Sequence, residues 1–175
     1  MGDKAISPDT LPESMDSNVA NLPITVGVGA FLVRDDRLLV VRKTYGPWKG
    51  LWTIPSGYVE PRESIVQTIE REVLEETGIT GRAEVLVGVR NRVTETSNDT
   101  FLIFTMAYES GEPIPDGLEV REAGFEPLLS LATADDSAPF TRAIIAKVSS
   151  TRGFRLDAYV PPRDVMDSLA YLLYV

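Results

Sequence analysis

The stretch from Gly57 to Ile79, GYVEPRESIVQTIEREVLEETGI, places Glu72, Glu75 and Glu76 on one short helical segment with Arg71 as the adjoining cation. Solvated helices usually interleave acids with bases, because like charges one turn apart each cost about 0.2–0.5 kcal/mol. Winding the segment at roughly 100° per residue puts Ile65, Val66, Ile69 and Val73 on one arc, with Glu72 at its edge and Glu76 inside it. Such a helix folds against a core and carries a carboxylate toward it. A carboxylate held against apolar surface must be neutralised, paired or metal-bound, and hard cations such as Mg²⁺ take oxygen ligands of this kind. Gly78 supplies the C-terminal cap that stops the helix.

Gly57, Glu63, Arg71, Glu72, Val73, Glu75, Glu76, Gly78 and Ile79 fill every defined position of the signature box of the Nudix hydrolases, and the chain resembles that family from about Thr25 to Leu131. The resemblance implies an α/β fold, a Nudix-type α/β/α sandwich with a mixed central β-sheet. It also implies Mg²⁺- or Mn²⁺-dependent hydrolysis of a nucleoside diphosphate linked to another group. One departure lies just outside the box, where many relatives carry Gly and this chain has Ser56. That change bears on the loop and adds a hydroxyl near the phosphates without touching the metal ligands.

The rest of the composition narrows the chemistry. With no Cys and no His, thiol nucleophiles, cysteine-ligated zinc, histidine bases and Ser-His-Asp hydrolysis are all excluded. Catalysis has to come from carboxylates, Lys, Arg, Tyr, Ser or a bound ion. The formal charge of −9, from 26 acids against 17 bases, argues against a nucleic acid polymer or an acidic membrane surface as partner. A small nucleoside diphosphate derivative remains accessible where metal ions bridge it to the acidic site. No stretch reaches the roughly 18–20 apolar residues of a membrane span, so a cytoplasmic protein is expected. A homodimer is compatible with this reading.

The 175 residues at 43% apolar content fit a single domain over residues 22–175, with C-terminal helices, preceded by a flexible arm over residues 1–21 that mixes Asp, Ser, Pro and Glu without periodicity. Ile24 to Val33, the pair Asp35-Asp36, and Arg37 to Arg42 read as a hairpin, and Leu51 to Ile54 as a short strand ending at Pro55. Residues 43–50 form a turn-rich loop before it. Glu84 to Val93 and Thr100 to Tyr108 read as strands, Gly111 to Gly117 as loop, and Leu118 to Leu129 as carrying a last strand around Phe125. Helical patterns follow at about Ala138 to Ser149 and Arg163 to Leu173, the second with Val165, Leu169 and Leu172 as its apolar stripe.

Pyrophosphate oxygens repel a nucleophile, and divalent ions remove that obstacle by neutralising charge and acidifying water. The resemblance implies metal binding by Glu72, Glu75 and Glu76 with the backbone carbonyl of Gly57. Glu63 and Arg71 then hold loop and helix in register, and Gly78 serves the backbone. Relatives commonly use one more carboxylate outside the box as base or second-metal ligand. Glu119 best matches its place, with Glu112, Asp116 and Glu122 as alternatives; the catalytic set is therefore Glu72, Glu75, Glu76, Glu119 and Arg71. For the nucleotide, aromatic faces stack on bases and arginines fork onto phosphates. Trp48 and Tyr45, with Arg42, Arg90 and Arg92, are the candidates, whereas Trp52 is expected in the core.

Within the family, the segments around Val85 to Tyr108 and Glu119 to Leu128 look most like members acting on ADP-ribose or NADH-like dinucleotides. A pyrophosphohydrolase that removes oxidised dNTPs is the alternative enzyme. Isopentenyl diphosphate isomerase shares the fold but employs a cysteine, which this chain lacks. A non-catalytic nucleotide sensor is the alternative of another class, though such relatives usually lose box carboxylates and here all are present.

Overall fold

The structure, a computed structural model, describes residues 23–148, 151–157, 170 and 172–175. Strands β1 (Ile24–Arg34) and β2 (Arg37–Lys43) form the expected hairpin. Asp35 and Asp36 make its two-residue turn at φ 52° and 58°, a left-handed pair that short Asx side chains tolerate. Then come β3 (Trp52–Thr53), β4 (Ser56–Tyr58), α1 (Ile65–Thr77), β5 (Thr80–Val93) and β6 (Asn98–Ser110). After β7 (Val120–Pro127) follow α2 (Leu128–Thr133), α3 (Pro139–Val148), β8 (Phe154–Asp157) and β9 (Leu173–Tyr174).

The sheet is mixed, ordered β3-β2-β1-β6-β5-β8-β9, with β4 added to β1 and β7 to β2. β1 and β6 run parallel, from Ile24 opposite Asn98 to Leu32 opposite Met106, while every other pairing between these strands is antiparallel. The period of 2 along the central strands sorts side chains onto two faces. Val28, Ala30, Leu32 and Leu39 join Ile69 and Val73 of α1 in one core. Phe31, Leu38 and Val40 join Leu131, Ile144 and Ile145 of α2 and α3 in the other. Helices therefore cover both faces of an α/β fold, as expected.

Three expectations need correction. Ser56–Tyr58 lies in a strand rather than a loop, because Gly27, Val28 and Gly29 of β1 pair with Tyr58, Gly57 and Ser56. The last segment of the 118–129 stretch turns helical at Leu128, where α2 covers the sheet. Leu173 is in a strand, where the β8–β9 ladder supplies its partner, Asp157. The arm over residues 1–21 and residues 163–169 and 171 of the second tail pattern, Val165 and Leu169 included, lie outside the described residues, whereas Ala170 and Leu172 are described and lie in no helix.

α1 begins and ends as its sequence directs. Ser64 and Gln67 form a reciprocal capping box, with Gln67 N–H donating to Ser64 Oγ at 3.2 Å and Ser64 N–H to Gln67 Oε1 at 2.9 Å. Gly78, at φ 69°, closes the helix by donating its N–H to Leu74 O at 2.8 Å.

Candidate active site

The capping box aims α1 so that its acids meet the β4 edge. Glu72 lies against Gly57, where a Cβ would come within 2.0 Å of Glu72 Oε1, so only glycine leaves room for the carboxylate. Arg71 gathers the acids around it. Its Nε and Nη2 grip both oxygens of Glu63 at 2.9 and 3.0 Å, while Nη1 donates to Glu72 Oε1 at 2.8 Å and Glu75 Oε2 at 2.9 Å. The fork holds the Glu63 carboxyl down at about 2, helped by the Thr68 hydroxyl. Burial raises Glu72 above the usual carboxylate range, against the pull of Arg71. Glu75 stays largely exposed, at 57% of its side chain.

Glu76 is the buried acid that the helical arc placed inward, at 3% exposure. Ser56 N–H donates to its Oε2 at 2.9 Å, and the Lys43 ammonium stands 2.8 Å from Oε1. Burial pushes its carboxyl up to about 7, with Lys43 and Ser56 opposing and Glu72 adding to the rise. Lys43 also donates to Ser56 O at 2.5 Å and lies 3.3 Å from Ser56 Oγ. Lys43 is a site residue that the sequence reading missed; its one signal was a base opening the turn-rich loop directly after the strand.

Beside these acids opens a cleft of about 360 Å³. Lys43, Tyr45 and Trp48 of the loop line one side, Ser56, Gly57 and Tyr58 of β4 another, and Arg90, Arg92, Asp99, Phe101 and Phe140 the rest. Tyr45, Trp48, Arg90 and Arg92 are thus brought together. Arg90 is pinned by an ion pair to Asp99 and lies 5.1 and 5.4 Å from the Phe101 and Phe140 ring centres. Arg42 is not brought there. Its guanidinium stacks 4.3 Å over the Trp52 ring and donates to Gly50 O and Asp136 Oδ2 at 2.8 and 2.5 Å, so it fastens the loop and the α2–α3 connection. Trp52 itself packs against the α3-side core.

Among the described residues the acids are not closed into a group of three at ligating distance, since Arg71 and Lys43 stand between them. The donor set nevertheless suits a hard divalent cation. Three carboxylates share one helix flank, the most buried of them faces only an ammonium on Oε1, and the Gly57 backbone sits against the carboxylate of Glu72.

A family model, the NUDIX domain, matches residues 23–148. The chain belongs to the Nudix hydrolase family. Nudix hydrolase 8 of Arabidopsis thaliana is 33% identical over 124 residues, 67% of this chain and 34% of that protein. An ADP-ribose pyrophosphatase of Methanocaldococcus jannaschii is 28% identical over 108 residues, 61% of this chain and 63% of that protein. The chain thus spans less than two thirds of either relative. A solved Nudix hydrolase from Nitrosomonas europaea superposes with a TM-score of 0.68 at 25% identity, covering 80% of this chain and 98% of that one.

The four acids weighed for the position outside the Nudix box separate by their partners. Glu119 Oε2 accepts from the Tyr45 hydroxyl at 2.8 Å, at the rim of the cleft. The Tyr45 hydroxyl is pushed up by burial first, then by Glu119, Glu76 and Glu72, so it stands within the field of the Nudix acids. Asp116 instead accepts the backbone N–H groups of Leu118, Glu119 and Val120. Burial raises its carboxyl, but those bonds outweigh it and the net displacement is downward. Glu122 faces Arg42 and Arg121, and Glu112 faces Arg34. No helix among the described residues is long and apolar enough to cross a membrane.

Proposed function

We propose that this Nudix protein hydrolyses a pyrophosphate bond in a nucleoside diphosphate linked to another group, of the ADP-ribose or NADH-like kind, in the cytoplasm and with Mg²⁺ or Mn²⁺. The observation that carries the reading is a buried acid, Glu76, bonded to Lys43 and Ser56, two residues that line a cleft walled by aromatic rings and arginines. Similarity to an ADP-ribose pyrophosphatase supports the substrate class.

Glu72, Glu75 and Glu76, with the Gly57 carbonyl, would hold the cation. When bound, it neutralises phosphate charge and acidifies a water molecule. Arg71, itself clamped by Glu63, keeps Glu72 and Glu75 oriented. Trp48 and Tyr45 offer faces for the base. Arg92, exposed on the cleft wall, meets the phosphates, and Arg90 is held rigid by Asp99 and the two phenyl rings. Glu119 accepts the proton of the attacking water, oriented by its bond to Tyr45.

A panel of ADP-ribose, NADH, diadenosine polyphosphates, coenzyme A and oxidised dNTPs, assayed with Mg²⁺ or Mn²⁺, tests the reading. Turnover of ADP-ribose or NADH is expected, with kcat lowered about a hundredfold or more in Glu76→Gln while circular dichroism stays unchanged. Equal activity of Glu76→Gln and wild type would sink the site assignment. Turnover confined to oxidised dNTPs would move the protein to the alternative substrate class.

A further inference from the structure

We propose that Lys43 is a resident cation of this site, holding the place beside Glu76 in the metal-free protein and releasing its ammonium to a substrate phosphate when a divalent ion takes that carboxylate. The inference rests on the reading above that Glu76 binds the divalent ion.

The position of Lys43 is built rather than incidental. Along the β2–β7 ladder, Arg42 pairs with Glu122 but Lys43 pairs with Val120, so Arg121 is left out of register. This irregularity falls at the step where the strand leaves Arg42 stacked on Trp52 and delivers Lys43 to the cleft. The ammonium there has oxygen partners: Glu76 Oε1 at 2.8 Å, Ser56 O at 2.5 Å and Ser56 Oγ at 3.3 Å. A carboxylate, a carbonyl and a hydroxyl are the donors that a hard divalent ion takes. Two cations cannot share one buried carboxylate oxygen without strong repulsion.

Of the two cations near the acids, Lys43 is the one able to yield. Arg71 is forked onto both oxygens of Glu63 and bound to two further acids. Lys43 carries its charge on a flexible four-carbon stem. It lines the same cleft as Trp48 and Arg92, with its Nζ 5.9 Å from the Tyr45 ring centre, so a short rotation leaves it inside the substrate space. The consequence is a trade of opposite sign. Lys43 weakens divalent-ion binding to the empty site and strengthens phosphate binding to the loaded one. A lysine that served packing alone would move neither in this pattern.

Mn²⁺ titration without substrate, read from the electron paramagnetic resonance of the free ion, separates these roles. Lys43→Met should bind Mn²⁺ about three- to tenfold more tightly than wild type, and its Mn²⁺-loaded form should bind ADP more weakly by about the same factor. Lys43→Arg, which keeps the charge, should stay near wild type for Mn²⁺. Unchanged or weaker Mn²⁺ binding by folded Lys43→Met overturns the proposal. The wild-type protein gives a second measurement that needs no variant to fold: amine acylation read by peptide mass spectrometry. Mg²⁺ should raise labelling of Lys43 relative to Lys49, and a constant ratio overturns the proposal as well. If Glu76→Gln binds Mn²⁺ as tightly as wild type, the cation role of Glu76 fails and this inference falls with it; if only Glu76→Gln is weakened, the site reading survives and Lys43 alone is decided.

Discussion

Glu119 shows how little a single carboxylate says until its neighbours are known. In sequence it is one of four acids in and around a loop; in space it is the one whose side chain bonds Tyr45 on the cleft rim. Asp116 has its oxygens committed to three backbone N–H groups, and Glu122 stands beside Arg42. If Glu119 accepts the proton of the attacking water, its interaction develops in the transition state. Glu119→Gln should then lower kcat about tenfold or more while KM changes little, and Glu122→Gln should be milder. Steady-state kinetics on the substrate identified by the panel checks this. A near-normal Glu119→Gln beside a crippled Glu122→Gln would move the role three residues along the chain.

At the scale of the element, α1 and the loop before it act as one unit, because Arg71 reaches back eight residues to fork onto Glu63 while Thr68 donates to the same carboxylate. Glu63 has its carboxyl lowered from 4.5 to about 2, so its contribution to stability is present above about pH 4.5 and is lost as pH falls toward 2. Glu63→Gln should therefore be less stable than wild type at neutral pH, with the difference shrinking between pH 4.5 and 2. Urea denaturation at several pH values in this window reads it. A difference that stayed constant would show that the clamp does not act through ionised Glu63. Glu76 is displaced the other way, to about 7, so in the metal-free protein it subtracts stability as pH rises from 4.5 to 7, and the acid window is free of that trend. The helix itself was legible in its stop at Gly78 and its inward acid, which follows from rotation per residue alone, whereas the Ser64–Gln67 capping box at its start, though local chemistry, was not read from the sequence.

For the whole molecule, the cleft joins parts of the chain that are distant in sequence. Phe140 at the start of α3 meets Phe101 of β6 edge-on at 5.6 Å, and Arg90 of β5 lies over both rings. The start of α3 is tied to β3, with Ala138 N–H donating to Trp52 O at 2.9 Å. Removing the ring loosens the wall that positions Arg90 without touching the acids. Phe140→Ala should raise KM about three- to tenfold and leave kcat within about twofold, the pattern of lost uniform binding. Loss confined to kcat would place Phe140 in the chemistry instead of the wall.

The sequence by itself determined the family, the α/β class, the acidic helix with its stop at Gly78, the inward turn of Glu76, and the hairpin at Asp35-Asp36. The family and the α/β class came through the resemblance carried by Gly57 to Ile79, while the others depend on residue type at short spacing, where rotation per residue, turn chemistry and capping act without distant partners. Only the tertiary structure decided that Ser56–Tyr58 is a strand, because its partner is β1 and not a neighbour in sequence. It also turned Arg42 away onto Trp52 while the adjacent Lys43 entered the cleft, since alternation and a register shift against β7 send neighbouring bases to opposite sides. The Tyr45 hydroxyl reached Glu119 in the same way, as a partner brought within hydrogen-bond distance only once the loops were folded together.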